Sequence, residues 1–335
     1  MKKLIVLATL AALPAVAMAD VTISGNLVVG LVNSKTKGEN DGSKNTMNRT
    51  SGEIKFAGSD DLGNGLKAVW QVASRINVAD QSDNARDNVW AGRDSFVGLD
   101  GSFGRVTAGN IYLMPTSGAM AIFENNSATY NSSIYDAGDR FNNTISYKAP
   151  TVAGFTATVQ HSLGQYNKNT DKQLATVNTD NEDNKLHTTA VSLAYEGNGF
   201  GASYDSMTSK LDATGKKDRK QELNANVSLD ALTLMAGYAH QKKDVVGGGN
   251  TKRSGWGLAA SYAMGNVTPK IGYWREGDSK TNGVSTDNGH KAFALGVEYA
   301  LSKRTRTGVE FAKTNFDAAD TGSERIATVY FGTKF

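Results

Sequence analysis

The sequence predicts an all-β chain that closes into one large antiparallel barrel, for three reasons. Apolar and polar side chains alternate with a period of two along most of the chain, which is the side-chain spacing of a β-strand. Short turns and long polar tracts alternate between these segments, which indicates strands running up and down between two different sides. Helix signals are missing between the alternating segments, so the chain is one meander.

Residues 1–19 have the composition of a secretory signal peptide. Lys2 and Lys3 form a basic start, residues 4–16 are mainly apolar, and Ala17-Met18-Ala19 is a small-x-small cleavage site. A membrane anchor is the alternative, but the apolar run is short for one and ends at the cleavage site. The predicted division is therefore a signal peptide over residues 1–19 and a barrel domain over residues 20–335.

Charge and cysteine content narrow the function classes. Without the leader the chain has 34 basic and 33 acidic residues, so its charge gives no reason to expect a nucleic-acid partner. The chain has no cysteine, so an exported protein of this size forgoes disulfides. We expect extensive backbone hydrogen bonding between strands to stabilise the fold in place of disulfides.

The first strand illustrates the pattern used for all the others. Val21, Ile23 and Leu27 share one parity, whereas Thr22 and Ser24 share the other. The segments with such alternation number sixteen: 21–33, 51–59, 65–77, 93–99, 102–109, 140–147, 155–163, 187–196, 200–207, 221–229, 232–241, 254–264, 267–276, 290–301, 304–314 and 324–335.

The polar face of these strands favours a membrane barrel over a soluble sandwich. In a sandwich the apolar faces enclose a closed core, whereas a transmembrane barrel points them at lipid and encloses polar side chains. Closure also satisfies every backbone hydrogen-bonding group, as lipid requires. Aromatic residues on the apolar parity, such as Trp70 and Trp256, suit the interfacial girdles. Arg275, Lys291 and Lys313 are exceptions, being cations on the apolar parity, and we expect them at strand ends or at a subunit interface.

The segment 110–139 is the longest one without regular alternation. It contains no Lys or Arg but holds three acids, Glu124, Asp136 and Asp139, among many apolar residues. Loops of this length are usually functional or disordered. Because apolar residues need a surface to pack on, we expect this loop to lie inside the barrel and to set the width of a pore; disorder is the alternative.

Several blocks of the chain resemble Gram-negative general porins of the neisserial and β-proteobacterial type. The most specific blocks are IKFAGSDDLGNGLKAVWQV at 54–72 and RDSFVGLDGSFGRVTAGN at 93–110, supported by DVTISG at 20–25, GNVTP at 265–269, YALSKRT at 299–305 and the terminal FGTKF. The resemblance implies a sixteen-stranded barrel, a homotrimer in outer-membrane lipid, and a third loop folded into the lumen.

Strand parity and the resemblance together suggest which charges line the pore. On 93–99 we expect Phe96 to face lipid and Arg93 to face the lumen; on 140–147 we expect Phe141 to face lipid and Arg140 the lumen. In porins a ring of basic wall residues faces acids of the third loop, so Arg93 and Arg140 are assigned to that ring.

Five further residues complete the predicted constriction. Lys67 and Arg75 join the basic wall, and the loop supplies Glu124, Asp136 and Asp139. Glu53 is an uncertain lumen residue, since it stands where related porins often have a base. Opposite charges across a narrow neck create a transverse field that orients polar solutes.

Other chemistry has little support in the sequence. The four histidines, His161, His187, His240 and His290, lie far apart without metal-ligand spacing. We read no nucleophile and base pair, no phosphate-binding loop and no cofactor motif.

The predicted function is passive diffusion of ions and small hydrophilic solutes with a weak anion preference. A substrate-selective channel and a plugged adhesion or structural barrel are the alternatives. The long polar tracts between the strands, such as 34–50 and 277–289, are expected to be loops that face outside the cell.

Overall fold

The computed structural model describes residues 20–37, 42–76, 78, 90–113, 122–124, 139–166, 185–212, 214–245, 247–318 and 322–335. The predicted signal peptide, residues 1–19, lies outside these residues. No helix among the described residues is long and apolar enough to cross a membrane.

The described residues form eighteen β-strands. In chain order they are β1 Asp20–Lys37, β2 Gly42–Gly63, β3 Leu66–Arg75, β4 Ser95–Gly101, β5 Gly104–Leu113, β6 Asp139–Lys148, β7 Phe155–Tyr166, β8 Lys185–Gly197, β9 Phe200–Leu211, β10 Lys217–Leu229, β11 Leu232–Asp244, β12 Asn250–Tyr262, β13 Val267–Glu276, β14 Ser279–Thr281, β15 Val284–Thr286, β16 His290–Ala300, β17 Thr305–Phe316 and β18 Ser323–Lys334.

The strands form one closed antiparallel sheet. Each of the long strands pairs with its neighbours in the chain, and β1 pairs with both β2 and β18, so the sheet has no open edge. The three-residue strands β14 and β15 form a small hairpin between β13 and β16, which pair directly with each other. Sixteen of the eighteen described strands therefore make up the barrel, which confirms the predicted fold class.

Several strands extend into tracts that polarity alone assigned to loops. Residues 34–50 were predicted as a loop, but β1 continues to Lys37 and β2 begins at Gly42. The tract 277–289 holds the β14–β15 hairpin. The physical reason is that a strand crossing a membrane continues its hydrogen-bond ladder into water, where both faces become polar and the alternation ends.

The two faces of the sheet differ in exposure as the alternation predicted. On β18, Val329 and Phe331 are exposed to 52% and 49%, whereas Thr328 and Tyr330 are each exposed to 1%. The exposed face is the outer, lipid-facing surface, and the buried face points into the barrel. Trp274 and Tyr330 are buried on the inner face.

The predicted orientation of Phe141 is wrong because β6 contains a bulge. Gly109 pairs with Thr144 and Ile111 pairs with Phe141, so one extra residue of β6 lies between the two pairs. Asn143 adopts a φ of 53°, in the left-handed region that asparagine tolerates. The extra residue reverses the alternation, and Phe141 is buried on the inner face with Leu113, whereas Ile145 stays outside.

The predicted orientation of Phe96 is also wrong. Val97 pairs with Trp70 and is 66% exposed, so Val97 lies on the outer face. Phe96 pairs with Gln71 on the opposite face. Both faces of this strand are apolar at that point. The larger size of Phe96 therefore does not identify it as the lipid-facing residue.

Candidate channel lumen

Residues Ile122–Glu124 lie against the inner face of the barrel. This short segment belongs to the predicted lumen loop, and it contacts wall residues more than 140 positions away in the chain. Its partners come from β13 and β17, which lie across the sheet from β5 and β6, the strands that flank the loop. The rest of 114–138 lies outside the described residues.

Phe123 occupies an apolar socket in the wall. The side chain is 2% exposed, and the socket is made of inward-facing residues that are themselves buried. All but one of these residues are alanines, whose small side chains leave room for an aromatic ring on an otherwise polar face. The socket residues are Ala239, Ala259, Trp274, Ala292, Ala294 and Ala312.

Glu124 is held by two residues of β17. Its backbone amide donates to Oε1 of Glu310 at 2.8 Å, and its Oε2 accepts from Nη2 of Arg306 at 2.7 Å. The Arg306 and Glu124 side chains are exposed to 17% and 14%, so water screens their attraction less than at an open surface. Arg306 was not among the predicted basic wall residues.

A second layer of polar contacts orients these groups. Nζ of Lys270 donates to the carbonyl of Ile122 at 2.9 Å and to Oε2 of Glu298 at 3.2 Å. The Tyr330 hydroxyl donates to the same Glu298 oxygen at 2.8 Å. Lys270 Nζ also lies 3.5 Å from Oε1 of Glu310. We call Lys270, Glu298, Arg306, Glu310 and Tyr330 the wall network.

The local sequence explains why Tyr330 lies flat on the wall. Gly308 pairs with Tyr330 across β17 and β18. A Cβ built on Gly308 would come within 2.5 Å of the Tyr330 ring and hydroxyl, so only glycine leaves space for this ring. The flat ring brings the hydroxyl to Glu298.

The predicted basic wall is partly assembled around Glu53. Glu53 pairs in register with Arg75, and its Oε2 lies 3.8 Å from Nε of Arg93. Nζ of Lys55 lies 3.5 Å from Oε1 of the same carboxylate. The structure thus brings Glu53, Arg75 and Arg93 together, and adds Lys55, which the sequence reasoning did not select.

Arg140 of β6 is bound by a different acid. Its Nε donates to Oδ1 of Asp94 at 3.0 Å, and its guanidinium lies 4.8 Å from the centroid of the Tyr112 ring. Asp94 shares the parity of Phe96, which lies on the inner face of β4. The place of Arg140 in the basic wall stays a prediction.

The other predicted site residues divide into two cases. Lys67 is the second residue of β3 and Arg75 the last. Eight residues of strand span roughly 26 Å, so the two lie at opposite ends of the barrel wall. Asp136 and the side chain of Asp139 lie outside the described residues, so their places stay predictions.

The sequence reasoning missed the wall network, although one signal was available. Lys270, Glu298, Arg306 and Glu310 all have lumen parity on strands whose boundaries were predicted well. Parity shows that a residue faces inward but not which part of the loop it meets. The network was thus hidden because its partner is distant in the chain.

Two of the histidines are close in space despite their separation in the sequence. The rings of His161 and His187 stack at 6.3 Å on the outer face, where Nδ1 of His161 contacts Thr189 and Nε2 of His187 contacts Asp212. Within the described ranges, no three His, Asp or Glu residues are grouped so that they could hold a metal ion.

These features define a class of protein. A closed sheet with an apolar outer face and a charged inner face is a transmembrane barrel.

Comparisons with known proteins identify the family. The model of the Gram-negative porin family matches residues 6–319. The major outer membrane protein P.IB of Neisseria sicca is 32% identical over 91% of both chains, and that of Neisseria meningitidis serogroup A is 30% identical over 91% of both. The chain belongs to the Gram-negative porin family, and it is an outer-membrane diffusion channel.

Solved structures agree with this fold. The anion-selective porin from Comamonas acidovorans superposes with a TM-score of 0.74 at 20% identity, covering 95% of this chain and 100% of that one. OmpF of Salmonella typhi, solved in complex with daunomycin, gives a TM-score of 0.66 at 18% identity, covering 95% and 98%.

Proposed function

We propose that this porin is a homotrimeric, passive channel whose width is set by the segment 110–139 inside the lumen. The observation that carries the proposal is the docking of Ile122–Glu124 on the inner face of β13 and β17. Because the segment starts from β5 and reaches the far wall, it crosses the lumen and reduces the open cross-section.

The channel performs no catalytic step in this proposal. A solute passes between the docked segment and the opposite wall, driven by its own concentration gradient. The opposite wall holds Lys55, Arg75 and Arg93 around Glu53, and the docked side holds the wall network. Charges of both signs facing one water-filled neck act on ions and dipoles as they pass.

A weak anion preference is expected from the exposure of the charged side chains to water in the lumen. Glu276 and Glu310 are buried on the inner wall, at 0% and 1% exposure, and both are engaged in ion pairs. Lys55 on the opposite wall has a side chain exposed to 37%. The burial of these two acids and the exposure of Lys55 favour a weak anion preference, which Glu53, with a side chain exposed to 31%, reduces.

Single-channel recording in a planar bilayer with a salt gradient tests this function. We expect steady ohmic conductance and a small reversal potential of the sign for anions. A barrel that inserts but conducts nothing would be a plugged adhesion or structural barrel. Chemical crosslinking of the purified protein tests the trimer separately, and crosslinks no larger than monomers would contradict it.

A further inference from the structure

The inner wall of the first strands contains a pocket of about 330 Å³. Its floor is apolar, with half-buried side chains of Ala57 on β2, Val69 on β3 and Phe96 on β4. The register places these residues side by side, because Ala57 pairs with Gln71 and Gln71 pairs with Phe96. Val69 lies one inward position from Gln71 on the same strand. Apolar side chains that face a water-filled lumen favour a ligand that covers them.

A glycine keeps this floor open toward the lumen. Gly98 pairs with Val69 on the inner face and has no side chain. Strand β4 therefore leaves the floor uncovered between Phe96 and Asp100, its two neighbouring inward residues. The pocket is thus a recess in the wall into which a flat solute fits.

Arg105 provides positive charge at the short-turn end of the pocket. Its Nε and Nη2 both donate to Oδ2 of Asp100, Nε at 2.8 Å. Its Nη1 has no partner among the residues that the structure describes, and the side chain is exposed to 47%. Lys148 lies directly opposite Arg105 in the register and adds a second positive charge. The free guanidinium edge can therefore donate to an anion, and a carboxylate suits its geometry.

The composition of the pocket is that of a small-molecule site. Such sites have volumes of roughly 300–1,000 Å³ and a mainly apolar lining with a few polar groups that fix orientation. Here the polar groups are the guanidinium of Arg105, the hydroxyl of Ser59 and the amide of Gln71. The Gln71 amide is itself held, because its Nε2 donates to the carbonyl of Asp94 at 2.8 Å.

We propose that this pocket binds a small aromatic carboxylate in the lumen, which rests on the proposed function because an open lumen gives the solute access. The ring of the solute stacks on Phe96 and covers Val69, and the carboxylate accepts hydrogen bonds from Arg105. Aromatic pairs contribute beyond the area that they bury, so a ring fits this floor better than a saturated chain of the same size. A solute without an apolar body leaves the floor uncovered.

Saturation-transfer NMR of the full protein in a neutral maltoside detergent at 0.1 M salt tests the proposal. The probe is benzoate, for which saturable binding is expected. Acetate has the carboxylate without the ring, and benzyl alcohol has the ring without the charge. Each is expected to displace benzoate only at roughly tenfold or higher concentration, because each lacks one of the two contacts.

Substitutions separate the two contacts. Arg105→Gln is expected to weaken benzoate binding roughly tenfold and to leave benzyl alcohol unaffected, whereas Arg105→Lys keeps most of the affinity. Phe96→Ala is expected to weaken benzoate and to leave acetate unaffected. Arg304→Gln is the matched control, because Arg304 is an exposed base in the short turn between β16 and β17. It is expected to bind benzoate within about twofold of the wild type, since salt screens its charge.

Three results would overturn the proposal: wild-type affinity for benzoate in Arg105→Gln, displacement by acetate or benzyl alcohol as strong as by benzoate, or an equal loss in Arg304→Gln. Planar-bilayer recording of the same preparation distinguishes this pocket from the proposed function. A conducting channel that does not bind benzoate would remove the pocket alone. A barrel that binds benzoate and conducts nothing would contradict the proposed function alone.

Discussion

The backbone amide of Glu124 donates a hydrogen bond of 2.8 Å to the carboxylate of Glu310, which lies 186 residues later in the chain. The same loop residue binds Arg306 through its side chain. Two bonds from one strand fix both the position and the orientation of the docked segment. Their loss has consequences for pore width, local stability and selectivity.

Phe123→Ala is expected to loosen the docked segment. Burial of a Phe side chain stabilises by roughly 1.5–3 kcal/mol, and the alanines of its socket are too small to refill the space. Single-channel recording should show a larger and noisier conductance than that of the wild type. Phe311→Ala is the matched control, since Phe311 lies on the outer face of β17. An equal change in both variants would mean a general loosening of the barrel.

Arg306→Gln is expected to weaken hydrogen-exchange protection of the peptide containing Glu124. Removing a charged hydrogen-bond partner costs about 1.5–3 kcal/mol of stability. We expect most of this cost to come from the pair between Arg306 and Glu124. Exchange measured by mass spectrometry should therefore show nearly the same loss for Arg306→Gln, for Glu124→Gln and for the double variant. Losses that simply add would show that the two side chains act independently.

Arg93→Gln is expected to shift the reversal potential toward cations. The substitution leaves Glu53 with one base fewer on the inner wall. The shift should be larger at 0.1 M than at 1 M salt, because the Debye length falls from about 10 Å to about 3 Å. Lys303→Gln serves as the control, because Lys303 is exposed in the short turn between β16 and β17, away from Glu53. A shift of the same size in Lys303→Gln would show that the effect does not depend on the charge at the Glu53 cluster.

Asp317→Asn is expected to lower thermal stability at neutral pH but not in strong acid. The hydrogen bond from Arg275 holds the pKa of Asp317 below its ordinary value of 3.8. A lowered pKa stabilises the folded state above the ordinary value, and this contribution is lost as the pH falls through the folded value. Melting curves of wild type and variant should thus converge at low pH. A difference independent of pH would show that ionisation of Asp317 does not matter.

The sequence was sufficient for the barrel because alternation is a local property. Each strand shows its own inner and outer face, so the closed sheet and outward positions such as Trp256 were predicted correctly. Where the alternation was locally broken, prediction failed: the extra residue at Asn143 reversed the orientation of Phe141, because a shift of one residue exchanges the faces.

The contacts of the lumen loop could not be read in the same way. Glu124 was selected as a loop acid, but its partner Arg306 lies 182 residues away, and pairing at that distance depends on the fold of the whole sheet. The alanine socket for Phe123 was equally hidden. It consists of five alanines and one tryptophan on five strands, and no single strand shows that these residues meet.

Deletion of residues 116–133 tests the central claim most directly. The deletion removes Ile122–Glu124 together with their contacts to the wall, so the lumen gains the space that this segment fills. Single-channel conductance in planar bilayers, compared at equal salt with the wild type, is predicted to rise clearly. If the deleted protein inserts and conducts as the wild type does, the segment does not narrow the pore, and the account of a loop-constricted channel is wrong.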